Sequence, residues 1–74
     1  MFVISADWAV GRRGRPVHMV SVNGRSISAD ARKVARAIQG PPKAAIIEAV
    51  RYAKSEGPVE LFPGPAGWQA RTPK

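Results

Sequence analysis

The chain has 74 residues, a hydrophobic content of 45%, no cysteine, one histidine and a formal net charge of +7 at pH 7. This length allows one small domain, and this hydrophobic content is ordinary for a folded globular protein. The absence of cysteine excludes disulfides, thiol nucleophiles and thiolate metal sites, and a zinc site would need three carboxylates beside the one histidine. We therefore expect no metal or cofactor. No apolar run reaches the length of a membrane span, so we also expect a soluble cytoplasmic protein.

Residues 2–10 alternate between apolar and other side chains, a period typical of a half-buried strand. The apolar face of this strand consists of Phe2, Ile4, Ala6, Trp8 and Val10. Because Trp8 shares its face with Phe2 and Ile4, the pattern predicts that its indole lies in the core. An indole beside arginines can also stack on an unpaired base, and this is the alternative role for Trp8 and for Trp68.

Residues 11–16 read Gly-Arg-Arg-Gly-Arg-Pro, and their two glycines and proline predict an exposed loop. The arginines of this loop are Arg12, Arg13 and Arg15. Residues 13–16 resemble the core of the AT-hook, a segment that binds A·T-rich DNA. The resemblance implies that Arg13 and Arg15 lie in the narrow minor groove, where the negative potential is enhanced. A loop that contacts phosphates without reading the base sequence is the alternative.

Residues 17–22 are rich in β-branched side chains and predict a second strand. Asn23-Gly24 is suited to a type I′ turn, so residues 25–27 can fold back as a short third strand. His18 lies on the second strand between apolar neighbours and is expected to be structural. A lone strand histidine could serve a small ribonuclease, but no second acid–base group is close in sequence, so we predict no enzymatic activity.

Two amphipathic helices are predicted next. Ser28 is a suitable N-cap for the first helix, with Asp30 in its first turn, and Gly40 ends that helix. Pro42 can occupy the first turn of the second helix, because its missing N–H costs nothing there. The buried stripe of the first helix is predicted to be Ala31, Val34, Ala35 and Ile38. The buried stripe of the second helix is predicted to be Ile46, Ala49, Val50 and Ala53.

Residues 59–62 and 68–70 predict two further strands joined by a Pro/Gly turn at 63–67. We expect residues 71–74 to form a flexible tail after a single domain at 1–70. The expected fold class is therefore α+β, with an N-terminal antiparallel β-meander, two short helices and a C-terminal β-hairpin. One core cluster is predicted to join the sheet and the helices, formed by Ile4, Trp8, Val34, Ile38, Ile46 and Val50.

Residues 28–71 place two helices, joined by Gly-Pro-Pro, before a hairpin with a Pro/Gly tip. Within this segment, Ala-Val-Arg-Tyr-Ala-Lys-Ser-Glu-Gly precedes Val-Glu-Leu, as where a recognition helix runs into a first wing strand. These features resemble the helix–turn–helix plus wing of winged-helix DNA-binding domains. The resemblance implies that Lys43, Arg51 and Lys54 face the major groove or its phosphates, and that the tip at 63–67 approaches the backbone. Two amphipathic helices that simply pack on a sheet are the alternative.

Positive charge is concentrated in residues 11–36, which hold seven arginines and lysines against one acid, Asp30. A small domain with a one-sided basic field is drawn to polyanions, of which nucleic acid is the commonest. We expect Arg25 and the first helix to lie at the same end of the molecule as the arginine loop. The expected contact residues are Arg12, Arg13, Arg15, Arg25, Arg32, Lys33, Arg36, Lys43, Arg51 and Lys54.

The sequence thus favours a small basic non-enzymatic regulator of transcription that binds nucleic acid, DNA rather than RNA. The alternative is a phage- or plasmid-type protein that binds and modulates a host nucleic-acid machine, such as RNA polymerase, through protein contacts. Arginine and tryptophan also anchor protein interfaces, so both functions would use the same basic surface. No membrane partner is expected, and the sequence does not indicate the oligomeric state.

Overall fold

The computed structural model describes residues 2–72 as a mixed α+β fold, which confirms the predicted class. The first three strands are β1 (Phe2–Val10), β2 (Pro16–Val22) and β3 (Arg25–Ser28). Two helices follow, α1 (Ala31–Ala37) and α2 (Lys43–Glu56). The last two strands are β4 (Val59–Gly64) and β5 (Gly67–Arg71).

The five strands of the described residues belong to one antiparallel sheet in the order β3-β2-β1-β4-β5. β1 is the central strand, since Ile4 lies opposite Val22 of β2 and also opposite Val59 of β4. The predicted meander and hairpin are both present. The sequence did not indicate that they share one sheet, in which the hairpin extends the ladder that the meander begins.

The two helices cover one face of this sheet. Residues directly opposite each other in antiparallel strands point to the same face, so Ile4, Val22 and Val59 form a row beneath the helices. All three are buried, and so are Val20 and Leu61. The helices contribute Val34, Ile46, Ala49, Val50 and Ala53 to the same core. The predicted stripe of α2 is therefore confirmed, and the α1 stripe packs here through buried Val34 and its half-buried members.

The turn between β2 and β3 has positive φ at both central residues, 53° at Asn23 and 83° at Gly24, as a type I′ turn requires. Asn23 also connects this turn to β1. Its backbone N–H donates to the Val3 carbonyl at 2.8 Å, and its Oδ1 accepts a hydrogen bond from the Val3 N–H at 2.9 Å. The predicted tight turn is confirmed, and its asparagine holds two strands at once.

The boundaries of both helices differ from the predicted ones. The N-cap of α1 is Asp30, whose Oδ1 accepts a hydrogen bond from the Arg32 N–H at 2.9 Å. Ser28, the predicted cap, lies in β3 and accepts from the Asp30 N–H instead, at 3.1 Å. Aspartate and serine are equally good caps, so local sequence does not choose between them. The helix ends at Ala37, before the predicted Gly40, because Ile38 is already extended.

Pro42 is the N-cap of α2 rather than part of its first turn, with extended backbone angles of −60° and 147°. The C-terminal strands are longer than predicted, and β5 includes Arg71. Arg71 was assigned to the flexible tail, but its Nε donates to Glu60 Oε1 at 2.7 Å across the β4–β5 ladder. The last two residues of that predicted tail, Pro73 and Lys74, lie outside the described residues.

The helices form an antiparallel pair with a defined orientation on the sheet. β3 ends at Ser28 beside Val20, and the chain then enters α1. The end of α2 returns to the same place, since Lys54 Nζ donates to the Ala29 carbonyl at 3.4 Å. The connection between the helices lies at the other end of the sheet. A β-carbon at Gly40 would lie 3.5 Å from the Phe2 ring and 3.6 Å from the Trp68 ring.

Candidate functional site

The most unusual feature of the fold is a two-stranded ribbon that extends beyond the rest of the sheet. β1 and β2 pair from Ile4↔Val22 to Val10↔Pro16, whereas β4 pairs only with residues 2–4 of β1. β3 pairs with β2 only as far as Val20. Residues 7–19, here called the ribbon, therefore have no third strand beside them. Four residue steps at about 3.4 Å give a projection of about 14 Å before the loop, and the molecule is accordingly elongated, at 45 × 26 × 17 Å.

Trp8 lies on this ribbon and is 68% exposed, so its predicted place in the core is wrong. Its strand alternates as predicted, and Trp8 faces the same side of the sheet as Ile4. The helical layer ends before Trp8, because α1 begins close to Val20 and α2 ends close to the same residue. Val10, one step further along the same face, is 83% exposed. The period of a strand identifies its face, but not how far the covering layer extends.

The indole of Trp8 is paired with the imidazole of His18 on the neighbouring strand. The two residues are directly opposite, their ring centroids are 3.9 Å apart, and their planes are tilted by 31°. His18 is thus half-buried against a tryptophan rather than against the core. The pair orders two aromatic rings on a surface that the helices leave open.

The loop at the end of the ribbon carries Arg12, Arg13 and Arg15, here called the arginine tip. Its chain is curled: the Gly11 N–H donates to the Arg15 carbonyl at 2.7 Å, and φ is positive at Arg13 (61°) and at Gly14 (71°). All three arginines are exposed, as predicted for this loop. Within residues 2–72, no acid lies within ion-pair distance of any of them.

Four other predicted contact residues lie around the base of the ribbon or on α1. Arg32 and Lys33 are exposed in the first turn of α1, and Lys54 is beside them through its bond to Ala29. Two acids are at the same end, the cap Asp30 and the terminal α2 residue Glu56. Arg36, one turn further along α1, bonds back to the Arg32 carbonyl at 3.5 Å. This region therefore holds four cations against two acids, whereas the arginine tip holds three cations and is the clearest positive surface.

The remaining predicted residues do not join this surface. Arg25 pairs with Val22 at the opposite end of β2 from the loop, about 20 Å away at about 3.4 Å per residue. The prediction that Arg25 lies beside the loop is wrong, because β2 separates them by its full length. Lys43 is the first residue of α2 and lies at the end of that helix opposite to Lys54. Arg51 is engaged by Glu48 at 3.6 Å.

A second surface lies between α2 and the edge strand β5, where neither helix nor strand fills the space. This open groove has a volume of about 430 Å³ and is lined mainly by apolar side chains, with Glu48 and Arg71 at its rim. Trp68 contributes to its wall and packs against Phe2, with ring centroids 5.7 Å apart. Sequence reasoning missed the contribution of Arg71, which also lies 4.4 Å over the Phe62 ring.

Neither surface in the described part of the chain contains a cluster of three or more acids or histidines that could hold a metal ion. Among residues 2–72, neither helix combines the length and the apolar character that crossing a membrane would require. Comparison with protein-family models, with curated proteins and with solved structures gives no significant match.

Proposed function

We propose that this protein is a small non-enzymatic regulator that binds nucleic acid, with DNA as the expected ligand, through the arginine tip of its ribbon. The observation that carries the proposal is the position of Arg12, Arg13 and Arg15. They are exposed at the far end of a projection that is only two strands wide, and no described acid neutralises them. A two-stranded ribbon is narrow enough to enter a nucleic-acid groove, and arginines are the usual partners of phosphate.

The shape of the loop supports phosphate contact over an AT-hook. A hook lays an extended Arg-Gly-Arg segment along the floor of the minor groove. Here the segment is left-handed at Arg13 and Gly14 and is closed by the bond from Gly11 to Arg15. A curled loop lacks the flat extended backbone that a narrow groove floor requires, so its exposed arginines suit phosphates better.

The winged-helix mechanism is the competing proposal for a DNA ligand. It would use the outer face of α2, with Lys43, Arg51 and Lys54. Lys43 and Arg51 are exposed, which this mechanism requires. However, Arg51 pairs with Glu48, and Lys54 bonds to the Ala29 carbonyl, so both would exchange an internal contact for a phosphate. The arginine tip makes no comparable ion pair among the described residues, and we therefore favour it.

The alternative of another class is a protein partner, for example a host nucleic-acid machine such as RNA polymerase. The exposed pair of Trp8 and Val10 supports it, because exposed aromatic residues often anchor protein interfaces. Such an interface would use the side of the ribbon more than its arginine tip. Binding to pure nucleic acid at moderate salt distinguishes a nucleic-acid ligand from a protein partner.

The test is a salt series on binding to a random DNA duplex, with two triple variants of equal charge. The first replaces Arg12, Arg13 and Arg15 with alanine, and the matched control replaces Arg25, Arg36 and Lys43. Each lost phosphate contact reduces the slope of log K against log salt by about 0.9, so the tip variant should lose up to about 2.7 of slope. Equal losses in both variants would show a diffuse charge effect, and no binding of the wild type to this duplex or to a DNA single strand would favour the protein partner.

A further inference from the structure

We infer that the ribbon binds single-stranded nucleic acid, with Trp8 as the platform on which one unpaired base stacks. This inference rests on the proposed function and narrows its ligand. The arginine tip could contact the phosphates of any nucleic acid. Trp8 adds a flat aromatic surface, and the flat face of a base is accessible only when the base is not enclosed in a duplex stack.

The indole of Trp8 is largely exposed although it packs against His18. One side of its indole is against His18, with centroids 3.9 Å apart, yet the residue remains 68% exposed. Most of the other side must therefore face solvent. His18 supports the ring from the neighbouring strand, so a base would meet an indole that is already oriented. Pre-orientation of this kind reduces the ordering cost of binding.

Trp8 and the arginine tip follow one another along the ribbon. Val10 follows Trp8 on the same face of β1 and is also exposed, and the arginine tip begins two residues later. Arg12 follows Trp8 by four residues, which span about 14 Å of chain, so the phosphates next to a stacked nucleotide can reach the arginines. Asp7 is the acid of the ribbon, and as an immediate neighbour of Trp8 in a strand it points to the opposite face. The face with Trp8 therefore carries no acid of the ribbon, as a polyanionic ligand requires.

Trp68, the other tryptophan of the sequence, serves as an internal comparison for Trp8. Trp68 is half-buried, packs against Phe2 and lies at the end of the sheet where the helices connect. It is far from the arginine tip in the topology, because β5 is separated from β2 by β4 and β1. Trp68 should not respond to a ligand on the ribbon. Trp68→Phe consequently leaves Trp8 as the sole tryptophan reporter.

The experiment compares ligands that differ in their bases but not in their phosphates. The probes are a mixed DNA strand of about 12 nucleotides, which is within the usual site size, and an abasic strand with the same number of phosphates. An RNA strand of the same sequence and the DNA duplex complete the set. Affinity is measured by fluorescence anisotropy of the labelled strand, and quenching of Trp8 is measured in the Trp68→Phe protein.

The normal strand should bind about 5- to 160-fold more tightly than the abasic strand, the range expected for stacking of one base. Trp8→Ala should remove this difference while leaving abasic and duplex binding within about twofold, since phosphate contacts are unchanged. Trp8→Phe should retain part of the difference. Trp8 should be quenched by the normal strand and not by the abasic one. Comparison of the DNA and RNA strands then identifies which single strand is preferred.

Failure of the inference differs from failure of the proposed function. If normal and abasic strands bind equally and Trp8→Ala changes neither, the protein binds phosphates and the stacking inference is overturned. If no strand or duplex binds at moderate salt, the proposed function fails as well. Circular dichroism checks the fold of each variant. Should Trp8→Ala not fold, quenching of Trp8 in the Trp68→Phe protein decides the question alone.

Discussion

Arg71 donates from Nε to Glu60 Oε1 at 2.7 Å, and this bond joins an exposed arginine to a buried carboxylate. Only 11% of the Glu60 side chain is accessible, against 58% for Arg71. Removal of one partner of such a pair leaves a charge in a poorly solvated place, which costs more than the loss of a surface ion pair. The last described strand is therefore held to the sheet by charge as well as by its ladder.

We predict that Arg71→Ala lowers the free energy of unfolding by about 1–3 kcal/mol. The matched control is Arg51→Ala, which breaks the pair with Glu48, whose two side chains are about three-quarters exposed. Surface pairs contribute about 0–1 kcal/mol, so the control should change stability much less. Urea denaturation measures both variants. Equal losses of unfolding free energy in the two variants would show that burial of Glu60 does not strengthen its pair with Arg71.

A second prediction compares two large apolar residues that the sequence placed in one core. Ile46 is fully buried, so Ile46→Ala should cost about 2–5 kcal/mol, enough to unfold much of so small a domain. Trp8→Ala should cost less than about 1 kcal/mol, the usual contribution of a cross-strand pair. Thermal denaturation followed by circular dichroism separates them. A large fall in melting temperature for Trp8→Ala would mean that the ribbon folds back onto the helices in solution.

A third prediction concerns the double role of Asn23. Asn23→Ala removes the bond from Oδ1 to the Val3 N–H and places alanine at a φ of 53°. We expect a loss of about 1–2 kcal/mol, from one hydrogen bond and the strain of a left-handed residue. Ser26→Ala, in the next strand, is the control, since it removes only an exposed hydroxyl contact with Ser21 at 3.3 Å. Similar midpoints in urea for the two variants would refute the link between turn and β1.

A fourth prediction distinguishes the ribbon from the winged-helix surface. On titration with nucleic acid, amide chemical shifts should move in residues 7–19 and remain unchanged on the outer face of α2. Lys43 and Arg51 are the reporters of that face, because both are exposed. Shifts at these two residues, with the ribbon unaffected, would instead support the recognition-helix mechanism.

Local patterns predicted the order of the elements, because strand alternation, the Asn-Gly turn and the stripe of α2 each depend on neighbours in sequence. The exposure of Trp8 could not be predicted in this way. It depends on where the helical layer ends, and that is determined by the return of α2 to Ala29, a contact between residues distant in sequence. The same limit applies to the pairing of Phe2 with Leu61, which joins the N-terminal meander to the C-terminal hairpin.

For the candidate site, the sequence identified the arginines of the loop and their exposure, but not their separation from Arg25. Charge counting treats residues 11–36 as one patch. In the structure β2 divides that patch, since the loop precedes the strand and Arg25 follows it. Arg71 was missed because a charged residue near a Thr-Pro sequence has no local sign of strand pairing. Its buried partner, Glu60, was the available signal, as a lone acid within an apolar strand.

The ribbon also affects how the sequence of this chain can evolve. None of residues 7–19 is buried, so substitutions there do not draw on the stability of the core. Because side chains alternate with a period of two, a gain or loss of two residues in each strand leaves the remaining side chains on their original faces. Length and tip sequence are thus free to vary independently of the five-stranded base. A scaffold of this kind can acquire a new ligand by altering one loop while its folding remains the same.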